Sequence, residues 1–207
     1  LGRFGDVRLD ATLIDGGLTV EQFGARGERG EVSGSLSYTP VNGDYRLEAE
    51  VDGERFLFAA PDRTPEQIEA APRFDIESRL TGVGTTVHGL LDSLDGLLIM
   101  FGSPGVVPTT SGWLANMITG DFMYQELTTV NPFVKQQDSV RMECAVVLLN
   151  ANSGRLSGDP LLVLQTERLN LFVNGKIDLS TEAMDIDINT QQRKGLGISI
   201  GEMLNPY

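Results

Sequence analysis

The chain is poor in sulfur, imidazole and positive charge. Its 207 residues hold one cysteine, Cys144, and one histidine, His88. A single cysteine forms no internal disulfide, and one thiol with one imidazole is too few ligands for a tetrahedral zinc site. Sixteen Lys and Arg stand against 29 Asp and Glu, a formal net charge of −13. So acidic a chain repels phosphate backbones and anionic membrane surfaces, so no nucleic-acid binding is expected. The plain role of the charge is solubility. Long apolar runs are missing too. Leu97–Phe101 and Leu161–Leu164 fall far short of the roughly 20 residues of a transmembrane helix. No basic-then-apolar leader opens the chain. It begins at Leu1 rather than methionine, and the expectation is a fragment of a longer protein, with any anchor or targeting segment outside it.

Glycine is plentiful, at 24 residues, and most glycines separate short apolar stretches. That pattern predicts strands and turns. Val7, Leu9, Ala11 and Leu13 alternate with polar residues, then Asp15-Gly16-Gly17 signals a hairpin. The two-residue period returns in Val32, Gly34, Leu36 and Tyr38, and again in Tyr45, Leu47, Ala49 and Val51, with a turn at Pro40–Asp44 between them. Asp52-Gly53 reads as a further turn leading to Phe56 and Phe58. The result is a meander with one apolar and one charged face.

Residues 61–72 interrupt this pattern as a linker, with Thr64 capping a helical turn or two that starts at Pro65. Phe74, Ile76, Ser78 and Leu80 resume the strand period. Val87, Leu90, Leu91 and Leu94 then fall at helical spacing, Leu97–Phe101 reads as a buried strand, and Ser103–Thr110 as a loop. Leu114, Ile118 and Phe122 predict a second helix from about 112 to 128. Strands return with Val140, Met142, Cys144 and Val146 on one phase, a turn at Asn150–Gly154, and strands over Leu161–Thr166 and Leu169–Val173. A last hairpin places Ile177 and Leu179 against Ile186 and Ile188. Gly34–Glu48 and Gly175–Asp187 are both glycine-started hairpins with one apolar face, a weak internal echo.

Candidates for chemistry are few. His88 would have to serve any Ser-His-Asp or Cys-His site, but it reads as an ordinary helix residue. Cys144 falls on an apolar strand phase, where cysteine acts as a small buried hydrophobe. Asp185 and Asp187 share a strand face, and Asp92 and Asp95 share helical spacing. Paired carboxylates can hydrolyse glycosides or hold calcium, yet the first pair sits on the polar phase, where residues are simply solvated. Gly82-Val83-Gly84 has no lysine after it and is too short for a nucleotide loop. Trp113 and Phe122 read as packing, and Met100, Met117 and Met123 as core filling. No catalytic residue, metal or cofactor is expected. What the chain offers is repeated apolar strand faces, and two helices make a small cover for so many strands.

Ser139 to Asn189 resembles the C-terminal region of the AsmA family of envelope proteins. The resemblance rests on Arg-Met-Glu-Cys-Ala from 141, Asn-Ser-Gly-Arg-Leu from 152, Leu-Gln-Thr-Glu-Arg-Leu-Asn-Leu from 164, and above all Val-Asn-Gly-Lys-Ile-Asp-Leu-Ser-Thr-Glu-Ala-Met-Asp-Ile-Asp-Ile from 173. Leu9–Phe23 is similar to the family's short hairpins and Gly89–Phe133 to its helical insertion.

This resemblance implies a mainly β fold: a twisted, curved antiparallel sheet of the β-groove type with two helices in the middle third. Residues 1–60 would be hairpin repeats, 61–72 a linker, and 73–207 an AsmA-like C-terminal region with a helical insertion at about 86–128. It implies a non-catalytic periplasmic segment of a protein anchored in the inner membrane. That segment would contribute to phospholipid transport between the membranes and to outer-membrane biogenesis. The expected lipid-facing residues are Leu36, Tyr38, Leu47, Ala49, Ile177, Leu179, Ile186 and Ile188, and the expected partner is the acyl chain of a phospholipid. The alternative is a scaffold that docks other envelope proteins along a sheet edge and assists outer-membrane protein assembly.

Overall fold

The computed structural model describes residues 4–27, 30–57, 64–108, 139–167 and 169–193. They form one large antiparallel sheet of eleven strands, not closed into a barrel, with two short helices. The strands are β1 (Phe4–Ile14), β2 (Gly17–Gly27), β3 (Gly30–Val41), β4 (Asp44–Phe56), β5 (Phe74–Val83), β6 (Asp95–Gly102), β7 (Gly105–Pro108), β8 (Ser139–Asn152), β9 (Arg155–Thr166), β10 (Leu169–Asp178) and β11 (Ala183–Gln192). The helices are α1 (Pro65–Ala70) and α2 (Val87–Asp92). Strands lie side by side in chain order, except that β6 and β7 share the same edge of the long strand β8.

Local chemistry explains most of the boundaries. Asp15-Gly16, Asn42-Gly43 and Ser153-Gly154 each carry two successive positive φ angles. This is the two-residue hairpin turn that matches strand twist, and Asp, Asn and Gly tolerate it best. Thr64 caps α1 through a capping box with Gln67, and Pro65 supplies the first helical residue. Thr86 caps α2 by accepting the Gly89 N–H at 3.1 Å. Both sides of the 61–72 segment belong to the same sheet, because β4 pairs with β5 over most of their lengths.

Several expectations need correction. Asp52-Gly53 does not turn: it lies inside β4, paired with β3 on one side and β5 on the other. Gly53 is buried, with Ile76 of β5 directly opposite it. The expected loop at 103–110 contains β7, which pairs with the start of β8. β8 runs on to Asn152, so the turn shrinks to Ser153-Gly154. Leu169–Val173 and Gly175–Asp178 form one strand, with an irregularity rather than a break at Val173/Gly175. Leu97–Phe101 is a strand but not a buried one, since Leu97 and Phe101 are both exposed. Of the two helices expected in the middle third, α2 is the first; residues 112–128, with Trp113, Met117, Phe122 and Met123, lie outside the described residues.

The buried core is small and off-centre. Val107, Met142, Ala145, Leu164, Leu171 and Val173 form one cluster from β7, β8, β9 and β10, with Phe74, Leu162 and Leu169 against it. Neither helix contributes a buried residue.

Candidate functional site

The strand pairing assembles an apolar face that crosses the entire sheet. One row of directly opposed residues begins Ala11, Val20, Leu36, Ala49, Leu80 on β1 to β5. It continues Gly96, Ala151, Leu156, Ile177, Met184 on β6 and β8 to β11. A second row runs Val7, Ala25, Val32, Gly53, Ile76, and then Met100, Val147, Leu162, Val173, Ile188. Neither row contains a polar side chain. Between them on β1 to β6 lie Leu9, Phe23, Gly34, Val51, Ser78 and Leu98. At strand spacing, ten strands carry these rows over about 43 Å.

Burial along this face is uneven. Leu164 is 1% exposed near the cluster centre, whereas Val7 and Leu13 on β1 are 71% and 74% exposed, and Met184 and Ile188 on β11 are 72% and 57%. The middle strands are half-buried by their neighbours. The apolar face thus lies open at both edges of the sheet, where a closed core would be covered.

Seven of the eight sequence-predicted lipid-facing residues share this face. Leu36, Ala49 and Ile177 sit in the first row and Ile188 in the second. Tyr38 opposes Leu18 and Leu47, and its ring stacks on Tyr45 at 4.7 Å between centroids. Ile186 opposes Gly175, where a Cβ would meet the Ile186 side chain at 2.8 Å. Leu179 departs from the set: β10 ends at Asp178, and Leu179 is half-buried in the turn that follows, its N–H donating to the Gly154 carbonyl at 2.9 Å.

β8 holds the main correction. A register irregularity between Met142 and Cys144 inserts one extra residue opposite β9. Such a bulge flips every later side chain to the other face. Ala145, Val147, Leu149 and Ala151 therefore join the apolar rows, and Val146 and Leu148 point away with Cys144. The cysteine is half-buried rather than core, its sulfur 3.7 Å from Gln165 Oε1.

The other chemical candidates stay apart. His88 is exposed on α2, its Nε2 3.7 Å from Asp92 Oδ2. Asp95 caps the turn after β8, accepting the Ser153 N–H at 2.7 Å, and makes no pair with Asp92. Asp185 and Asp187 are exposed on the face opposite the apolar rows. Gly82 and Gly84 serve packing: a Cβ at 82 would lie 2.8 Å from the Leu90 carbonyl oxygen, and one at 84 would lie 2.6 Å from Gly89 backbone. They let α2 settle directly on the end of β5. Among the described residues, no group of three or more His, Cys, Asp or Glu is placed to hold a metal ion. No helix among them is long and apolar enough to cross a membrane.

Charge is held on the opposite face. Arg79 bridges Glu50 at 2.8 Å and also binds Glu77, and these two carboxylates raise its pKa. Asp178 organises the β10–β11 turn. Its carboxylate accepts from Ser180 Oγ at 2.6 Å, Thr181 N at 3.2 Å, Arg155 Nε at 3.1 Å and Ser180 N at 3.1 Å. The Ser180 hydroxyl is the largest cause of a pKa lowered from 3.8 to about 2. A carboxyl depressed on folding contributes stability above its unfolded pKa and loses it as pH falls through the folded value. The contribution should therefore be complete above about pH 4 and fade toward pH 2. Backbone amide exchange at Ser180 and Thr181 should accelerate over that window beyond its intrinsic pH trend, and Asp178→Asn should abolish this acid-linked step.

Comparison with protein-family models, with curated proteins and with solved structures found no match to this chain.

Proposed function

We propose that the chain shields lipid acyl chains as a non-catalytic, periplasmic segment of an AsmA-like protein. It would thereby contribute to phospholipid transport between the inner and outer membranes and to outer-membrane biogenesis. The observation that carries this reading is the pair of unbroken apolar rows across ten strands, open at both edges. Each methylene removed from water is worth roughly 0.8 kcal/mol, so an unshielded acyl chain crosses an aqueous space at prohibitive cost. A strip of about 43 Å exceeds the roughly 30 Å hydrocarbon thickness of a bilayer, so it can cover the full length of an acyl chain. Such a strip has no tight site and needs none. The AsmA resemblance of residues 139–189 supplies the envelope setting.

A second reading, partner docking along a sheet edge, has its own support. The β10–β11 ladder runs ten pairs without a register shift, whereas the β1–β2 ladder at the other edge carries two irregularities. A straight edge strand offers main-chain groups to an incoming strand.

In-cell photo-crosslinking in the full-length protein separates the two. Probes at Leu36 and Ile188 report the apolar face, and probes at Ser35 and Asp187 the opposite one. Lipid adducts at the first two positions alone are the expected result. Protein adducts at Ile188 and Asp187, with no lipid anywhere, would replace the lipid reading with the docking one.

A further inference from the structure

We propose that the face opposite the apolar rows holds an amphipathic helix from a partner protein, its apolar strip flanked by lysine and arginine. The alternation that makes most of this sheet one-sided fails at its centre. Phe101, Val146, Val163 and Phe172 form a row of opposed residues on β6, β8, β9 and β10, bounded by Asp75 on β5 and Asn189 on β11. Ile99 opposes Leu148 in the next row, and Leu97 extends the patch further along β6. Phe101 is 53% exposed, and Leu97 and Leu148 are exposed as well. Strands apolar on both faces belong to sheets covered on both sides.

Size and charge define the cover. The patch spans four strands and about four residues along β6, roughly 14–19 Å by 14 Å. One helix of about 10–13 residues laid across the strands fills it. Acids stand on both flanks: Asp75 and Glu77 on β5, with Asp52 and Glu54 beyond them on β4, and Asp185 and Asp187 on β11. Of the nearby cations, Arg79 is paired with Glu50 and Glu77, and Lys176 stands opposite Asp185 in the β10–β11 register. These flanks repel anionic lipid head groups and a second copy of the same surface, and they favour a basic border. The proposal concerns a different face from the lipid reading and stands or falls separately.

The test uses the whole chain and two synthetic 14-residue helical peptides with one leucine stripe, flanked by lysine in one and by glutamate in the other. Fluorescence anisotropy should show binding of the lysine peptide, at least tenfold weaker binding of the glutamate peptide, and weakening of the former by salt. Phe101→Asn with Leu148→Asn should reduce affinity at least tenfold with unchanged thermal unfolding, and Ile188→Ala should leave it unaltered. Should the double variant not fold, Asp75→Lys with Asp187→Lys substitutes for it and should reverse the peptide preference. Equal affinity for both peptides, no binding, or indifference to these substitutions overturns the proposal. So does a photo-crosslink from position 101 to residues 109–138 of the same chain, or to phosphatidylcholine vesicles.

Discussion

Replacing Leu164 by alanine should lower the free energy of unfolding by about 2–5 kcal/mol, the range for truncating a fully buried leucine. Leu164 is 1% exposed and packs in the cluster with Met142, Leu171 and Val173. The same face provides the control: Met184 is 72% exposed, and Met184→Ala should change stability by no more than about 0.5 kcal/mol. Urea unfolding of the two variants measures the contrast directly. It matters because both residues lie on one apolar face of one sheet. A large difference means that this face is anchored over β7–β10 and free at its β11 end. Equal losses would mean that the β11 end is covered as fully as the centre, and the lipid surface there would disappear.

The second large effect concerns transport. A carboxylate at Ile188 would stand in the path proposed for acyl chains. An aspartate in the middle of an apolar phase costs about 2.5–3.5 kcal/mol, which corresponds to about a hundredfold in rate or affinity. Ile188→Asp should therefore reduce extraction of a fluorescent phospholipid from vesicles by about that factor. Because Ile188 is exposed, the variant should fold normally. Ile188→Ala removes only methylenes and should cost less than about tenfold. Asn189→Asp places the same charge on the opposite face and should have no effect. Equal loss with the charge on either face would trace the defect to net charge and remove the support for a directional surface.

Much of this architecture is legible in local pattern. Alternation at Val7–Leu13, Val32–Tyr38 and Tyr45–Val51 marks strands and assigns their faces, and Asp15-Gly16 and Asn42-Gly43 mark turns because few residue pairs accept two positive φ angles. Seven of eight candidate lipid-facing residues fall on one face for the same reason. The failures share a different cause. Asp52-Gly53 looks like a turn until the strands on both sides of it are known, since only non-local pairing with β3 and β5 keeps it extended inside β4. The bulge at Met142/Cys144 leaves no local trace, because Cys144-Ala145-Val146-Val147 is apolar on both phases and either register reads equally well. The continuity of the rows is likewise invisible in the sequence: it depends on nine successive registers, each a non-local property.

Nearest-neighbour pairing also bears on how the molecule is built. Apart from the shared edge of β8, each strand pairs only with those adjacent to it in the chain. A strand leaving a secretion channel or ribosome finds its partner already in place, and the loop to be closed is a few residues for most hairpins. Low sequence separation between partners favours rapid folding and shortens the exposure of unpaired edges. Assembly can then proceed as serial addition, one hairpin after another. The longest connection is β7–β8, where 30 residues intervene between Pro108 and Ser139, and closing that loop is the expected slow step.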